Sequence, residues 1–197
     1  MLSYNDFSIR LIRACDKDRI LQWRNSDRVR FNMYNDHLIS EKEHEDWFAR
    51  ALVDTNAVYL IFSYKEKPVG FISGININNN HGFSSWGFYL GDVEVSRGFG
   101  SVMEFLGLDY AFMTLKIRKV CCEVFAFNAA IIKLQKQFGF IDEGRFFEHY
   151  LKNGKYEDIV LLAKFGKKWI CEREIFMERI FGPMKCSTRF PRVEIYR

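Results

Sequence analysis

The amino-acid sequence predicts an α/β (α+β) fold, a mixed and mostly antiparallel sheet with helices on both faces. Three observations point there. Apolar, β-branched runs at 58–64, 69–77 and 83–90 follow one another across short polar turns, Lys65-Glu66-Lys67-Pro68 and Asn78 to Gly82, the pattern of an antiparallel meander. A segment of helical period separates the third run from the next strand, so those two strands must lie parallel. Asn153-Gly154 divides two further β-rich runs, 145–151 and 156–165, as the turn of a hairpin.

Taken in order, alternation of Phe7, Ile9 and Leu11 with Ser8 and Arg10 gives a first strand. Asp16 is placed to cap a short helix carrying Ile20 and Trp23, with a loop expected at 25–27. Ser40-Glu41-Lys42-Glu43 has the form of a capping box, and the helix it opens aligns His44, Trp47, Phe48, Ala51 and Leu52 on one face. After the meander, a turn at 96–100 enters a helix on which Met103, Leu106, Tyr110 and Met113 share a side. Strand 119–127 follows, then a helix over 129–138 that carries Ile131, Leu134 and Phe138 and stops at Gly139, suited to a left-handed cap. These elements are assigned to one domain over residues 1–165. Residues 166–197 have weak periodicity and are expected to form a partly helical, basic C-terminal appendage.

A length of 197 residues fits one domain. The 48% hydrophobic content and 20 phenylalanines imply a sizeable aromatic core and exclude a disordered or repeat protein. The formal charge of +4 belongs to the tail: residues 1–165 hold 21 basic and 21 acidic side chains, residues 166–197 hold 8 and 4. Glutamates interleave with those cations, so the run does not specify a phosphate or membrane partner, and no nucleic acid is expected. Five cysteines without a C-x-x-C pair read as reduced, mostly buried thiols. The N-terminus has no apolar signal region, and no uncharged stretch reaches the roughly 18 apolar residues of a spanning helix, so a cytoplasmic chain without a membrane span is expected. A homodimer stays open.

The turn before the helix reads Arg97-Gly98-Phe99-Gly100-Ser101-Val102. Glycines let backbone amides crowd toward a ligand, and a helix N-terminus offers unpaired N–H groups with partial positive charge, a cradle for a pyrophosphate. Alone, such a turn is more often plain geometry. In the following β-α unit stands Asn128, then a short helix, then Gly139-Phe140. An Arg-x-x-Gly turn followed by Asn, a short helix and Gly-Phe resembles the acetyl-CoA-binding core of the GNAT acetyltransferases, over roughly residues 7–165. The resemblance implies an acetyl-CoA-dependent N-acetyltransferase without a metal. It implies that backbone groups of Phe88, Tyr89 and Leu90 hold the pantetheine arm, that Arg97, Gly98, Phe99, Gly100, Ser101 and Val102 hold the pyrophosphate, and that Asn128 contacts the cofactor near its thioester. Two positions depart from the pattern. Val102 stands where a small residue is usual, and Gln135 stands where a tyrosine usually serves as general acid.

Trp23-Arg24-Asn25, Met33-Tyr34, Ser40 to Trp47 and Cys122-Glu123-Val124 further resemble the acetyltransferases of pseudaminic acid biosynthesis, a route to flagellin glycosylation. These act on the 4-amino group of a UDP-linked amino-deoxysugar. That resemblance implies a nucleotide-sugar pocket lined by Arg24, Met33, Tyr34, His44, Trp47 and Trp86, with Glu123 and Gln135 as catalytic groups. Chemistry is compatible: Arg24 can fork onto a diphosphate, and Trp47 and Tyr34 can stack on uracil or a deoxysugar face. Each also has a plainer reading, Arg24 as a surface residue, Trp47 as core, Tyr34 as a loop anchor and His44 as a satisfied core histidine. Glu123, inside a strand, needs either an ionic partner or a cleft. Acetylation of a protein N-terminus or another small amine, or a non-catalytic acyl-CoA-binding role, remain alternatives.

Overall fold

The computed structural model describes residues 2–183. A single seven-stranded sheet runs through it in the order β1-β2-β3-β4-β5-β7-β6. β1 (Phe7–Leu11), β2 (Val58–Tyr64), β3 (Lys67–Asn78) and β4 (Phe83–Leu90) form the antiparallel meander that the short polar turns require. β5 (Lys119–Phe125) returns parallel to β4, and β6 (Ile141–Lys152) and β7 (Lys155–Phe165) are the hairpin at the far edge. Its turn residues Asn153 and Gly154 take φ of 51° and 77°, as a two-residue hairpin demands.

The β4–β5 pairing decides where a ligand can enter. Partners run only from Phe83↔Lys119 to Ser85↔Cys121, after which the two strands part. Beyond that point β4 keeps β3 on one side, through Ile72↔Phe88, Phe71↔Tyr89 and Gly70↔Leu90, while β5 keeps β7 along its whole length. The facing edges of residues 86–90 and 122–125 therefore open a cleft in mid-sheet.

Alternation along the strands sorts their side chains onto two faces. Ile61 and Phe71 point to one, where α1 (Lys17–Asn25) and α3 (Glu41–Ala51) bring Ile20, Trp23, Phe48 and Ala51. Leu60, Phe62 and Ile72 point to the other, under α4 (Phe99–Asp109) and α6 (Gly166–Phe181). Ser40 caps α3 as expected, its Oγ accepting the Glu43 N–H at 3.2 Å. Leu52, expected on the buried face, is exposed because α3 ends one residue before it. Asp16 precedes α1, but its carboxylate accepts from the Arg10 guanidinium and the Arg13 N–H and not from the helix. The expected loop at 25–27 shrinks to a break at Ser26, after which α2 (Asp27–Arg30) makes one more turn.

Past Asp109, the chain winds as a π-helix over Tyr110–Thr114. The wider turn keeps Tyr110 buried but carries Met113 off the apolar face into solvent, against expectation. α5 (Ala129–Gln137) ends as predicted at Gly139, φ 76°. Residues 166–181, expected as the start of an appendage, instead form α6 inside the main core: Trp169 is fully buried, and Phe176, Met177 and Phe181 lie on the same side. The remainder of the basic tail, 184–197, lies outside the described residues. Among the described residues no helix is long and apolar enough to cross a membrane.

Candidate active site

The cleft continues into a cavity of about 780 Å³, a volume within the range of small-molecule sites. One half lies between the parted strands. Phe88, Tyr89 and Leu90 of β4 line it, with Gly100 of α4 and Asn128, Ile131, Leu134 and Gln135 at and along α5. Gly98 is the N-cap of α4 with φ 98°, a conformation that a side chain would strain. Within the turn, the Phe99 N–H donates to Ser96 O and those of Ser101 and Val102 to Gly98 O. Gly100 is the member of the turn that reaches the cavity wall, while Phe99 and Val102 are buried in the core and Arg97 is exposed. A Cβ built on Gly100 would meet only Leu134, at 3.8 Å, so the space beside it is open to a ligand. Of the expected pyrophosphate set, side chains contribute little, and what the turn offers is glycine backbone and a helix start, which fits an anionic cofactor group.

Asn128 is engaged twice over. Its Oδ1 caps α5 by accepting the Ile131 N–H, and its Nδ2 donates to Asn32 Oδ1 at 3.0 Å. Gln135 is 1% exposed, and its Nε2 donates to Glu104 Oε2 at 3.4 Å. Glu104 was not anticipated. It is fully enclosed within α4, and burial pushes its pKa up to about 8, so it holds a proton at neutral pH. Gln135 Oε1 and Glu104 Oε1 are both buried without a hydrogen-bond partner. The sequence signal was there: a lone acid within Val102-Met103-Glu104-Phe105-Leu106, a helix turn apolar on every side.

The other half of the cavity is walled by α1, α2, α3 and the far ends of β2 and β3. Arg24, Arg28, Met33, Glu43, His44, Trp47, Tyr59 and Phe71 face it. Arg24 Nη2 donates to Asn35 O, whereas Nη1 is buried with no partner. Burial lowers the pKa of this guanidinium, against the counteracting pull of Tyr89, Glu43 and Asp36. Arg28, which sequence reasoning missed, stands on α2 beyond the Ser26 break and is fixed to Gly91 O and Asp92 O. Trp47 packs edge-on to Tyr59 and Phe71, an aromatic wall as expected.

Of three further expected substrate contacts, His44 and Trp86 line the cavity as buried residues and Tyr34 does not line it. His44 is 3% exposed and gives Nε2–H to Lys17 O at 2.8 Å, tying α3 to α1. Trp86 is 5% exposed and packed against Gly74, where any Cβ would come within 2.3 Å of the indole. The Tyr34 ring leans on Phe125 and Tyr150, at 5.4 and 4.9 Å, and its hydroxyl donates to Glu123 Oε2 at 2.5 Å. Glu123 on β5 is thereby given both things its place in a strand called for, a partner and a cleft. Burial, then the Glu123 bond, holds the Tyr34 phenol strongly protonated. The thiols of Cys121 and Cys122 are both pushed up by burial, which leaves them poor nucleophiles.

A parallel pair that splays over a glycine-started helix thus opens one cavity with two halves, one in the gap between the strands and one beyond it. Residues 7–141 match the model of the acetyltransferase (GNAT) domain. The chain belongs to that family and is an acetyl-CoA-dependent N-acetyltransferase. Curated relatives include the spermidine N(1)-acetyltransferase of Vibrio cholerae, 23% identical over 116 residues covering 59% of this chain and 67% of that protein. An uncharacterized N-acetyltransferase, YokL, from the SPbeta prophage of Bacillus subtilis is 27% identical over 143 residues, 72% of this chain and 75% of that one. The crystal structure of the Vibrio cholerae spermidine N-acetyltransferase with CoA and spermine superposes with a TM-score of 0.80 at 20% identity, over 84% of this chain and 99% of that one. At that identity the likeness is one of fold.

Proposed function

We propose that the acceptor is the amino group of a nucleotide-linked amino-deoxysugar, of the UDP-4-amino-4,6-dideoxy type. The observation that carries this reading is the buried, unpartnered Nη1 of Arg24 on the wall of an aromatic pocket. A desolvated guanidinium N–H without an acceptor is costly, and a diphosphate or uracil carbonyl supplies one. Arg28 and Arg50 add positive charge to the same wall and outnumber Glu43 there, which suits an anionic acceptor. Trp47, Tyr59 and Phe71 offer faces for a base or a deoxysugar.

In this reading acetyl-CoA, when bound, supplies the acetyl thioester. The Gly98 to Gly100 backbone receives its phosphates, and the unpaired edge of Phe88 to Leu90 aligns its arm. Glu123, oriented by Tyr34, holds the acceptor ammonium and takes its proton through water, so that the free amine attacks directly. Gln135 cannot release a proton at neutral pH and serves as a hydrogen-bond donor beside the leaving sulfur. A thiol with a reference pKa of about 8.5 can depart as thiolate under that assistance.

The named relatives favour a second reading, acetylation of a polyamine. A thiol-release assay with an amine panel separates the two. The nucleotide-sugar reading expects kcat/KM for a UDP-linked 4-amino-deoxysugar to exceed that for spermidine by roughly two orders of magnitude, the worth of one or two charge-assisted contacts. A preference for spermidine overturns it.

A further inference from the structure

We propose that Lys152 is a positioning residue for the acceptor half of the site, holding residues 31–38 in the shape that brings Tyr34 to Glu123. Lys152 is the last residue of β6, and its side chain is only 4% exposed. A lysine is rarely enclosed unless its ammonium is fully engaged. Here Nζ donates to Met33 O at 2.9 Å and to Asp36 Oδ2 at 2.8 Å, and it lies 5.2 Å from the centre of the Phe125 ring. The hydrogen bond to Lys152 holds the Asp36 carboxyl below the usual carboxylate range.

The segment it grips leads from α2 to α3. Within its own half of the molecule it is held by Arg24 to Asn35 O, by Arg30 to Asp36 O and by the Asn25 amide, which bonds both N and O of Ile39. Toward the β5 side, three contacts cross: Asn32 to Asn128, Tyr34 to Glu123 and Lys152 to Met33 and Asp36. The first two end on groups assigned to the cofactor and to proton transfer. Lys152 touches neither the cavity nor those groups, yet it brackets Tyr34 from both sides in sequence, at residues 33 and 36. The same hairpin supplies Tyr150 as the surface on which the Tyr34 ring rests. The β6–β7 hairpin thus acts as a clamp across the acceptor loop, and its buried Lys152 is the fastening.

This inference rests on reading the Arg24 to Trp47 wall as the acceptor half. Lys152→Met keeps the length of the side chain and removes its three donors. The expected result is a rise of roughly tenfold or more in KM for a UDP-linked 4-amino-deoxysugar, as the loss of a charged hydrogen bond predicts, with KM for acetyl-CoA unchanged within about twofold. Amide hydrogen exchange should accelerate at residues 31–38 and stay as it was in α4 and β5. Lys152→Arg, which can still donate to both oxygens, should restore most of the acceptor KM. Should the methionine variant fail to fold, Asp36→Asn at the rim tests the same clamp in the same direction, more weakly. Unchanged exchange at 31–38, or equal rises in both Michaelis constants, overturns the proposal. Where the wild-type enzyme proves to use spermidine, the same split is read with spermidine, so failure of the acceptor class and failure of the clamp are seen separately.

Discussion

At the residue scale, burial moves Glu104 far from the ordinary chemistry of a carboxyl. An unfolded glutamate titrates near 4.5, whereas enclosure in α4 raises this one to about 8. Between those values the folded protein holds a proton that the unfolded chain has lost, so stability is greatest below about 4.5 and declines as pH rises toward 8. Unfolding measured in urea at pH 5, 7 and 9 should show that decline, amounting to a few kcal/mol at most by the worth of a pKa unit. Glu104→Gln should flatten it, since two amides can still exchange a hydrogen bond; an unaltered pH profile in that variant would show that Glu104 is not its source. In the proposed reaction Glu123 and Gln135 divide the work differently. Glu123→Gln is expected to lower kcat by about two orders of magnitude, the ordinary worth of a general base, and Gln135→Ala by less, because Gln135 donates only one assisting hydrogen bond. Single-turnover rates for the two variants rank them, and the reverse order would exchange their roles. The sequence placed Glu123 correctly in a strand that needs a cleft, but no pattern in Met33-Tyr34 could tell that the phenol turns to that carboxylate and not to the pocket. Such contacts span 89 residues of chain and follow from topology, not from local spacing.

At the scale of elements, all seven strands and the helices over 17–25, 41–51, 99–109 and 129–137 were legible, because alternation, caps and turn residues agree with the tertiary fold there. The helix over 166–181 was not. Its buried residues Trp169, Phe176, Met177 and Phe181 recur at helical intervals, but charges on the open face, and on residues beyond 183, masked the stripe. Its docking is also ionic: Arg173 and the Trp169 indole meet Asp109 of α4, and the buried Lys164 meets Glu172. Trp169→Ala should therefore cost about 3–5 kcal/mol, as large aromatic deletions in a core do, read as a fall in thermal midpoint. A midpoint unmoved by that change would mean α6 is the appendage the sequence suggested. For α4, the clearance around Gly100 means Gly100→Asp should fold normally while its carboxylate opposes the cofactor's phosphates, weakening acetyl-CoA by roughly tenfold or more in calorimetry. Unchanged affinity in the folded variant would remove the turn from the cofactor site.

At the scale of the molecule, the parted strands join two pockets of opposite demand. The half beside α4 and α5 offers helix-start backbone and apolar walls, and the half beneath α1, α2 and α3 offers arginine and aromatic rings, with Glu123 between them. The family rests on the match over residues 7–141; the acceptor is a question for the second half. Its test does not need the sugar. Titrating UDP into the protein already saturated with coenzyme A, followed by calorimetry, asks whether the unpartnered Nη1 of Arg24 is built for a nucleotide diphosphate. The account predicts saturable UDP binding that falls by roughly tenfold or more in Arg24→Met. Heat from spermidine in the same experiment, with none from UDP, would contradict it.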